Sequence, residues 1–281
     1  YPNGVAVDTN DNIYIADTGN SRIQKWAQDA TEGTTVAGGN EGGSNANQLA
    51  NPVGVAVDAT GNIYIADTDN QRIQKWAQDA TEGTTVAGGN DAGTEMNQLL
   101  YPNGVAVDTN DNIYIADTEN NRIQKWAPGG TEGTTVAGGN GSGSNTNQLN
   151  GPRGVAVDAT GNIYIADTEN QRVQELVRRV TTVAGGNGDG SNPNQLDAPA
   201  GVAVDTSGNT YIADTYNHRI QKWAPGATEG TTVAGGNGEG SNANQLNTPV
   251  GVAVDTSGNI YIADTNNDRI QKWAPGETEG T

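Results

Sequence analysis

One short segment, Gly-Val-Ala-Val-Asp, occurs six times along this chain, opening at Gly4, Gly54, Gly104, Gly154, Gly201 and Gly251. The spacings are 50, 50, 50, 47 and 50 residues. A period of roughly 20–50 residues marks architectures in which each unit buries its surface only against its neighbours. Within each copy the runs Gly4–Asp8, Asn12–Asp17, Arg22–Trp26 and Thr34–Gly38 are short and rich in Val, Ile, Tyr, Thr and Trp. Clusters of Asn, Asp, Gly and Ser bound them, as they bound strands. No stretch keeps the i, i+3, i+4, i+7 spacing of an amphipathic helix over ten residues. The unit is therefore expected to be a four-stranded antiparallel meander.

Such a sheet cannot stand alone, because its Val-Ala-Val strand is apolar on both faces. Radial stacking covers both faces and leaves only short edges. Six units give an all-β fold, a six-bladed β-propeller forming a single domain over residues 1–281. Its repeats start near residues 1, 51, 101, 151, 198 and 248. The slim strand belongs innermost, where blades converge, and Tyr14 and Trp26 belong further out. Composition alone points elsewhere. Val, Ile and Leu make up 45 of 281 residues, Phe is absent and the net charge is −19, a profile that leans towards disorder. The charge per residue is small, however, and the regular strand chemistry outweighs it.

The pattern running from Pro52 to Trp76, P-x-G-V-A-V-D-x-x-G-N-I-Y-I-A-D-T-x-N-x-R-I-Q-K-W, resembles the NHL repeat. The resemblance covers essentially the whole chain, six times over. A WD-type repeat lacks its Gly-His and Trp-Asp pairs here, and the Asn-x-Arg-Ile segment fits NHL better than kelch. The resemblance implies a six-bladed propeller whose surfaces bind partners. NHL modules occur in RNA-binding, ubiquitin-ligase-associated, extracellular-sensor and lyase proteins, so the family does not fix the activity.

Two copies depart from the rest. The last keeps GVAVD, IYIADT and RIQKW but loses TTVAGG before Thr281. Blade six is then three-stranded, or further residues lie beyond Thr281. A bare edge at Arg269–Trp273 would invite pairing with another chain; a monomer is favoured, with an edge-mediated dimer or a domain swap as alternatives. The fourth copy carries Glu175, Leu176 and Val177 where its siblings have Lys, Trp and Ala, and its next loop is three residues shorter. A tighter hairpin is expected there, and the Arg178–Arg179 pair offers a docking point for an acidic group.

Some residues recur in every copy: the Asp of GVAVD, the Asp of IYIADT and the Arg of NxR. A catalytic group is needed once and a structural device in every blade, so the Asp side chains are expected to accept turn amides and at least one of them to pair with the repeat's Arg. The stretch Asp8–Asn12 alternates oxygen ligands somewhat as a calcium loop does, but lacks the bidentate Glu and reads as a turn. No cofactor is expected, apart from a calcium ion that axial backbone carbonyls could hold.

Chemistry-bearing residues are scarce. There is no Cys and one His, His218, so neither a thiolate zinc site nor the several-His set of the zinc-carrying propeller lyases can be assembled. No G-x-S-x-G motif is present. With 33 acidic against 14 basic residues, the long-range field repels nucleic acid and anionic membranes. No apolar run approaches the ~18 residues of a membrane helix. The sequence opens at Tyr1 with neither an initiator Met nor an apolar leader, so any targeting segment was removed or never there. Nothing fixes a compartment, with an extracellular setting slightly favoured.

Variation among the copies gathers after ADT, before the inner Gly, and in the linker after GGN. In a meander, the strand 2–3 turn and the blade-to-blade linker emerge on one face, which places the diversity there. The candidate ligand-binding residues are Asn3, Asp69, Asn103, Glu119, Arg153, Glu169, Tyr216 and His218. The favoured function is a non-enzymatic scaffold presenting an acidic, loop-rich face to a protein, peptide or glycan. One alternative is a recently amplified or engineered propeller with no evolved ligand. Another is a metal-dependent lyase or hydrolase of the six-bladed type.

Overall fold

Each inner strand packs against the backbone of the next one around a closed ring, and glycine makes the approach possible. A Cβ built on Gly4 would overlap the Val53 carbonyl oxygen, and one on Gly54 would overlap that of Asn103. The series runs through Gly104, Gly154 and Gly201 and closes where Gly251 meets the Asn3 carbonyl. Six blades surround one axis in this computed structural model, which describes residues 1–177 and 180–281. Blade one consists of β1 (Pro2–Val7), β2 (Ile13–Asp17), β3 (Arg22–Trp26) and β4 (Thr34–Gly38), paired antiparallel in that order. Blades two to five repeat it, and blade six has three strands ending at Arg269–Trp273.

The expected strand limits hold closely, except that the inner strand starts at Pro2, two residues before Gly4. An irregularity in register between Pro2 and Val5 lets this early start coexist with the tight packing at Gly4. The core lies between blades. Trp76 of blade two packs with Tyr14, Ile23, Ala37 and Leu49 of blade one. The small strand is innermost and the aromatics are further out, in the predicted radial order.

The recurrent polar residues are structural. Asp8 accepts the amides of Asn10 and Asn12 at 2.9 Å, the Asn12 side chain at 2.8 Å and the Tyr14 hydroxyl at 3.1 Å. The same set recurs at Asp108. Burial alone would raise the Asp108 carboxyl, but donors from Asn112, Asn110 and Tyr114 outweigh it and hold its pKa below the usual carboxylate range. A lowered carboxyl stabilises the fold while ionised. That contribution is complete above the unfolded-state value and is lost as pH falls through the folded one. Asp108→Asn should therefore cost about 1 kcal/mol or less at neutral pH after solvent screening. In urea titrations the gap between variant and parent should narrow below a pH of about 4.

The Thr of each ADT triplet joins one blade to the next. Thr18 donates its hydroxyl to the Pro52 carbonyl at 2.7 Å, Thr68 to Pro102 at 2.7 Å and Thr118 to Pro152 at 2.8 Å. Tyr on the second strand stacks under the Lys opposite it, as with Lys25 over Tyr14 at 5.2 Å. In blade four Glu175 replaces that Lys and accepts the Tyr164 hydroxyl at 3.0 Å instead. There the third strand closes at Leu176, which pairs directly with Val180, giving the expected shorter hairpin. Arg178 and Arg179, the pair read as a docking point, lie outside the described residues.

Candidate functional site at the axial mouth

Inner strands that converge on glycine leave a narrow axial cavity of about 280 Å³. Its outer ring is Asn3, Val53, Asn103, Arg153, Ala200 and Val250, followed by the six glycines and then by the valines that begin with Val5. The outer ring occupies the position just before each inner Gly, where the copies differ. Arg153 is the one charged residue lining the cavity, and it is exposed. Asn3 and Asn103 each donate a side-chain amide to a neighbouring threonine, Thr18 at 3.1 Å and Thr118 at 2.8 Å. Those bonds fix the two amides beside the axis.

The linker and the strand 2–3 turn share this face, as expected. Gly39 donates to the Ser21 carbonyl, and Asn70 reaches back to Gly43 of the preceding linker at 2.9 Å. Each strand 2–3 turn is a single 3-10 turn, such as Thr68–Asn70, whose tip is Asp69, Glu119, Glu169 or Tyr216 in successive blades two to five. All four tips are exposed, Tyr216 by 63%. Asp189 and Glu239 in the linkers are exposed on the same face. The face thus carries an acidic rim around a single basic centre.

The structure divides the eight candidates. Asn3, Asn103 and Arg153 line the axial cavity together. Asp69, Glu119, Glu169 and Tyr216 stand outside it, on the rim. His218 performs a different task. It takes up a left-handed conformation, φ 52°, and its Nδ1 accepts the amide of Thr248 at 3.1 Å. Gln71, Asn121 and Gln171 hold the same place and accept the amides of Tyr101, Gly151 and Ala198. The accepting residue changes its chemistry from copy to copy while keeping an acceptor atom, so the sequence alone reads as drift. The signal was present in the choice of residues: Gln, Asn, Gln and His all offer an acceptor at similar reach.

Sequence reading also missed the reach of the Asp–Arg pair. Arg122 Nε donates to Asp117 at 2.7 Å, while its Nη1 and Nη2 donate to the Thr94, Glu95 and Gln98 carbonyls of the incoming linker. Asp117 also accepts the Leu100 amide at 2.7 Å. Leu99, from the Asn-Gln-Leu that closes the linker, is completely buried. Among the described residues, no group of three or more His, Cys, Asp or Glu side chains could hold a metal ion.

A family model for the NHL repeat matches residues 1–26, 49–76, 99–126, 149–176, 196–223 and 246–273. The chain belongs to the NHL-repeat family. No curated protein matches this NHL-repeat chain. Solved structures resemble its fold. One is a nidogen/laminin complex, with a TM-score of 0.71 and 19% identity, covering 93% of this chain and 89% of that one. Another is an auxiliary nutrient binding protein from Bacteroides ovatus, with a TM-score of 0.69 and 16% identity over 98% of this chain and 69% of that one. A third is a gluconolactonase from Xanthomonas campestris, with a TM-score of 0.66 and 16% identity over 93% and 82%. At these identities the likeness concerns the NHL propeller's fold and leaves its activity to the site.

Proposed function

We propose that this NHL propeller is a non-enzymatic binding module that engages a protein or peptide partner through the axial-mouth face. The observation that carries the reading is Arg153, a lone cation in an otherwise uncharged mouth, encircled by Asp69, Glu119, Glu169, Asp189 and Glu239. A carboxylate seated on Arg153 would form charge-assisted hydrogen bonds, and flanking basic groups would meet the acidic rim. That pattern suits a basic peptide with one carboxylate at its centre better than an uncharged glycan. The glycan remains the alternative occupant of the same face. The neighbouring structures described as a nidogen/laminin complex and a nutrient binding protein support binding as a use of this architecture.

The test is a panel of immobilised peptides and glycans probed with the purified chain at two salt concentrations. Basic peptides should be selected, and the interaction should weaken with salt. Arg153→Ala and Glu119→Lys should each reduce binding about tenfold or more. Ala59→Lys, on the exposed strand 1–2 turn of the opposite face, should leave it unchanged. Ligands indifferent to both mouth substitutions would refute the assignment of the face.

A further inference from the structure

One core side chain sets the junction between blades three and four apart from its siblings. Between blades two and three, Trp126 packs on Tyr64, Ile73, Ala87 and Leu99. One blade further on, Tyr114, Ile123, Ala137 and Leu149 form the same floor, but Leu176 stands in place of the Trp. Trp76, Trp223 and Trp273 fill the corresponding seat at three more junctions. All four rings are buried, whereas Leu176 is only half-buried.

The lid over the ring has gone with it. In blades two, three and five a Thr-Glu-Gly stretch follows the third strand. Its glycine, Gly83, Gly133 or Gly230, lies so close to the ring that a Cβ there would overlap the indole nitrogen. Each glycine amide also donates to the preceding linker, to the carbonyl of Ala46, Met96 or Pro193 at 2.8 Å. The fourth repeat has no Thr-Glu-Gly, and Leu176 pairs directly with Val180. Thr146 holds the corresponding linker place, and its carbonyl accepts no such amide among the described residues. Those residues leave a cavity of about 660 Å³, lined by Val136, Ala137, Thr146, Gln174, Leu176 and Val180, among others. Gln174 gives it direction. This side chain is 1% exposed, and its amide donates to Asp167 at 2.9 Å. No donor meets its Oε1 among the described residues. In blade six the equivalent oxygen, on Gln271, accepts the ring N–H of Trp273 at 3.0 Å.

We propose that this seat binds a small indole-type molecule: planar, bicyclic, aromatic and carrying one ring N–H. The ring would lie against Leu176, Val136 and Ala137, and its N–H would donate to Gln174 Oε1. The occupant's chemistry is set by the four junctions that already hold an indole in the same surroundings. The volume is that of a small-molecule site, and an apolar cavity takes up aromatic guests of matching size. A donor on a ring substituent would find its acceptor in the Thr146 carbonyl. The net charge of −19 disfavours an anionic substituent, which leaves neutral or cationic ones. The seat shares no lining residue with the axial cavity, so either proposal can fail without the other.

The probe is indole itself, titrated into the 281-residue chain by calorimetry. Benzofuran, which has the same shape without the ring donor, is titrated alongside. One-to-one saturation with a Kd of about 1 mM or below is expected for indole. Benzofuran should bind about tenfold more weakly, because it leaves Gln174 Oε1 unpaired. Leu176→Trp puts back the side chain that the siblings carry and should abolish indole binding, with a thermal melt to confirm folding. The comparison of the two ligands on the parent chain decides the matter even if that variant folds poorly. Equal affinity for benzofuran, or indole binding that survives in folded Leu176→Trp, would overturn the proposal. So would the absence of saturation by indole, or binding of a tryptophan-bearing peptide alone, which would assign the seat to a protein partner.

Discussion

Gly54→Ala is expected to destabilise the propeller by about 3 kcal/mol, at the upper end of what one overpacked side chain costs. In an unobstructed position the same change stabilises by roughly 0.4–1 kcal/mol, because alanine restricts the unfolded chain. The sign therefore turns on space. A Cβ at Gly54 overlaps the Asn103 carbonyl oxygen and lies 3.2 Å from both the Gly104 Cα and the Val105 nitrogen. All three are backbone atoms, so no rotamer change gives relief. Nor can the neighbouring strand withdraw, since it is packed in the same way against blade four and the ring is closed. Gly42→Ala supplies the control. A Cβ there meets nothing closer than 3.4 Å, and the equivalent position in blade two is already Ala92. Urea unfolding should show a large loss for the first variant and none for the second. Comparable midpoints would mean that the blades do not meet as closely as the structure has them.

That prediction also shows what kind of information the sequence held. Period, strand limits and radial order could be read because each is written in one copy and confirmed in five more. Val5 and Val7 are slim, Tyr14 and Trp26 are bulky, and geometry leaves each only one radius. The contacts between blades were harder to read. Thr18 and Pro52 are 34 residues apart, and a threonine hydroxyl bonded to a proline carbonyl leaves no pattern in either segment. The linker varies from copy to copy, yet Leu49 within it is fully buried and Arg72 grips three of its carbonyls. Exposed positions such as Ser44 and Asn47 surround that anchor and disguise it. The candidate site was legible only as a face. Which of its residues reach the axis follows from the register irregularity between Pro2 and Val5, which sequence periodicity does not reveal.

The same repetition sets one interaction in two environments within a single molecule. Arg122→Ala should cost about 3–5 kcal/mol, the penalty for breaking a buried ion pair from one side. Asp117 is completely buried and would lose its cation, while the Thr94, Glu95 and Gln98 carbonyls would lose the donors that fasten the linker. Burial already pushes the Asp117 carboxyl up, and only the Asn120, Leu100 and Arg122 donors pull against it. Arg22→Ala removes the residue at the same place in blade one. There the arginine meets Asp17 alone, with side-chain exposures of 33% and 17%, and water can solvate both groups afterwards. The expected cost falls to about 1 kcal/mol or less, as for other partly exposed pairs. If the two variants unfolded at the same urea concentration, the linker contacts would contribute nothing and the pair alone would set the stability. A larger loss from Arg22→Ala would contradict the burial on which the whole comparison rests. Double-mutant cycles with Asp117→Ala and Asp17→Ala extend the test, since coupling should be strong in blade three and weak in blade one.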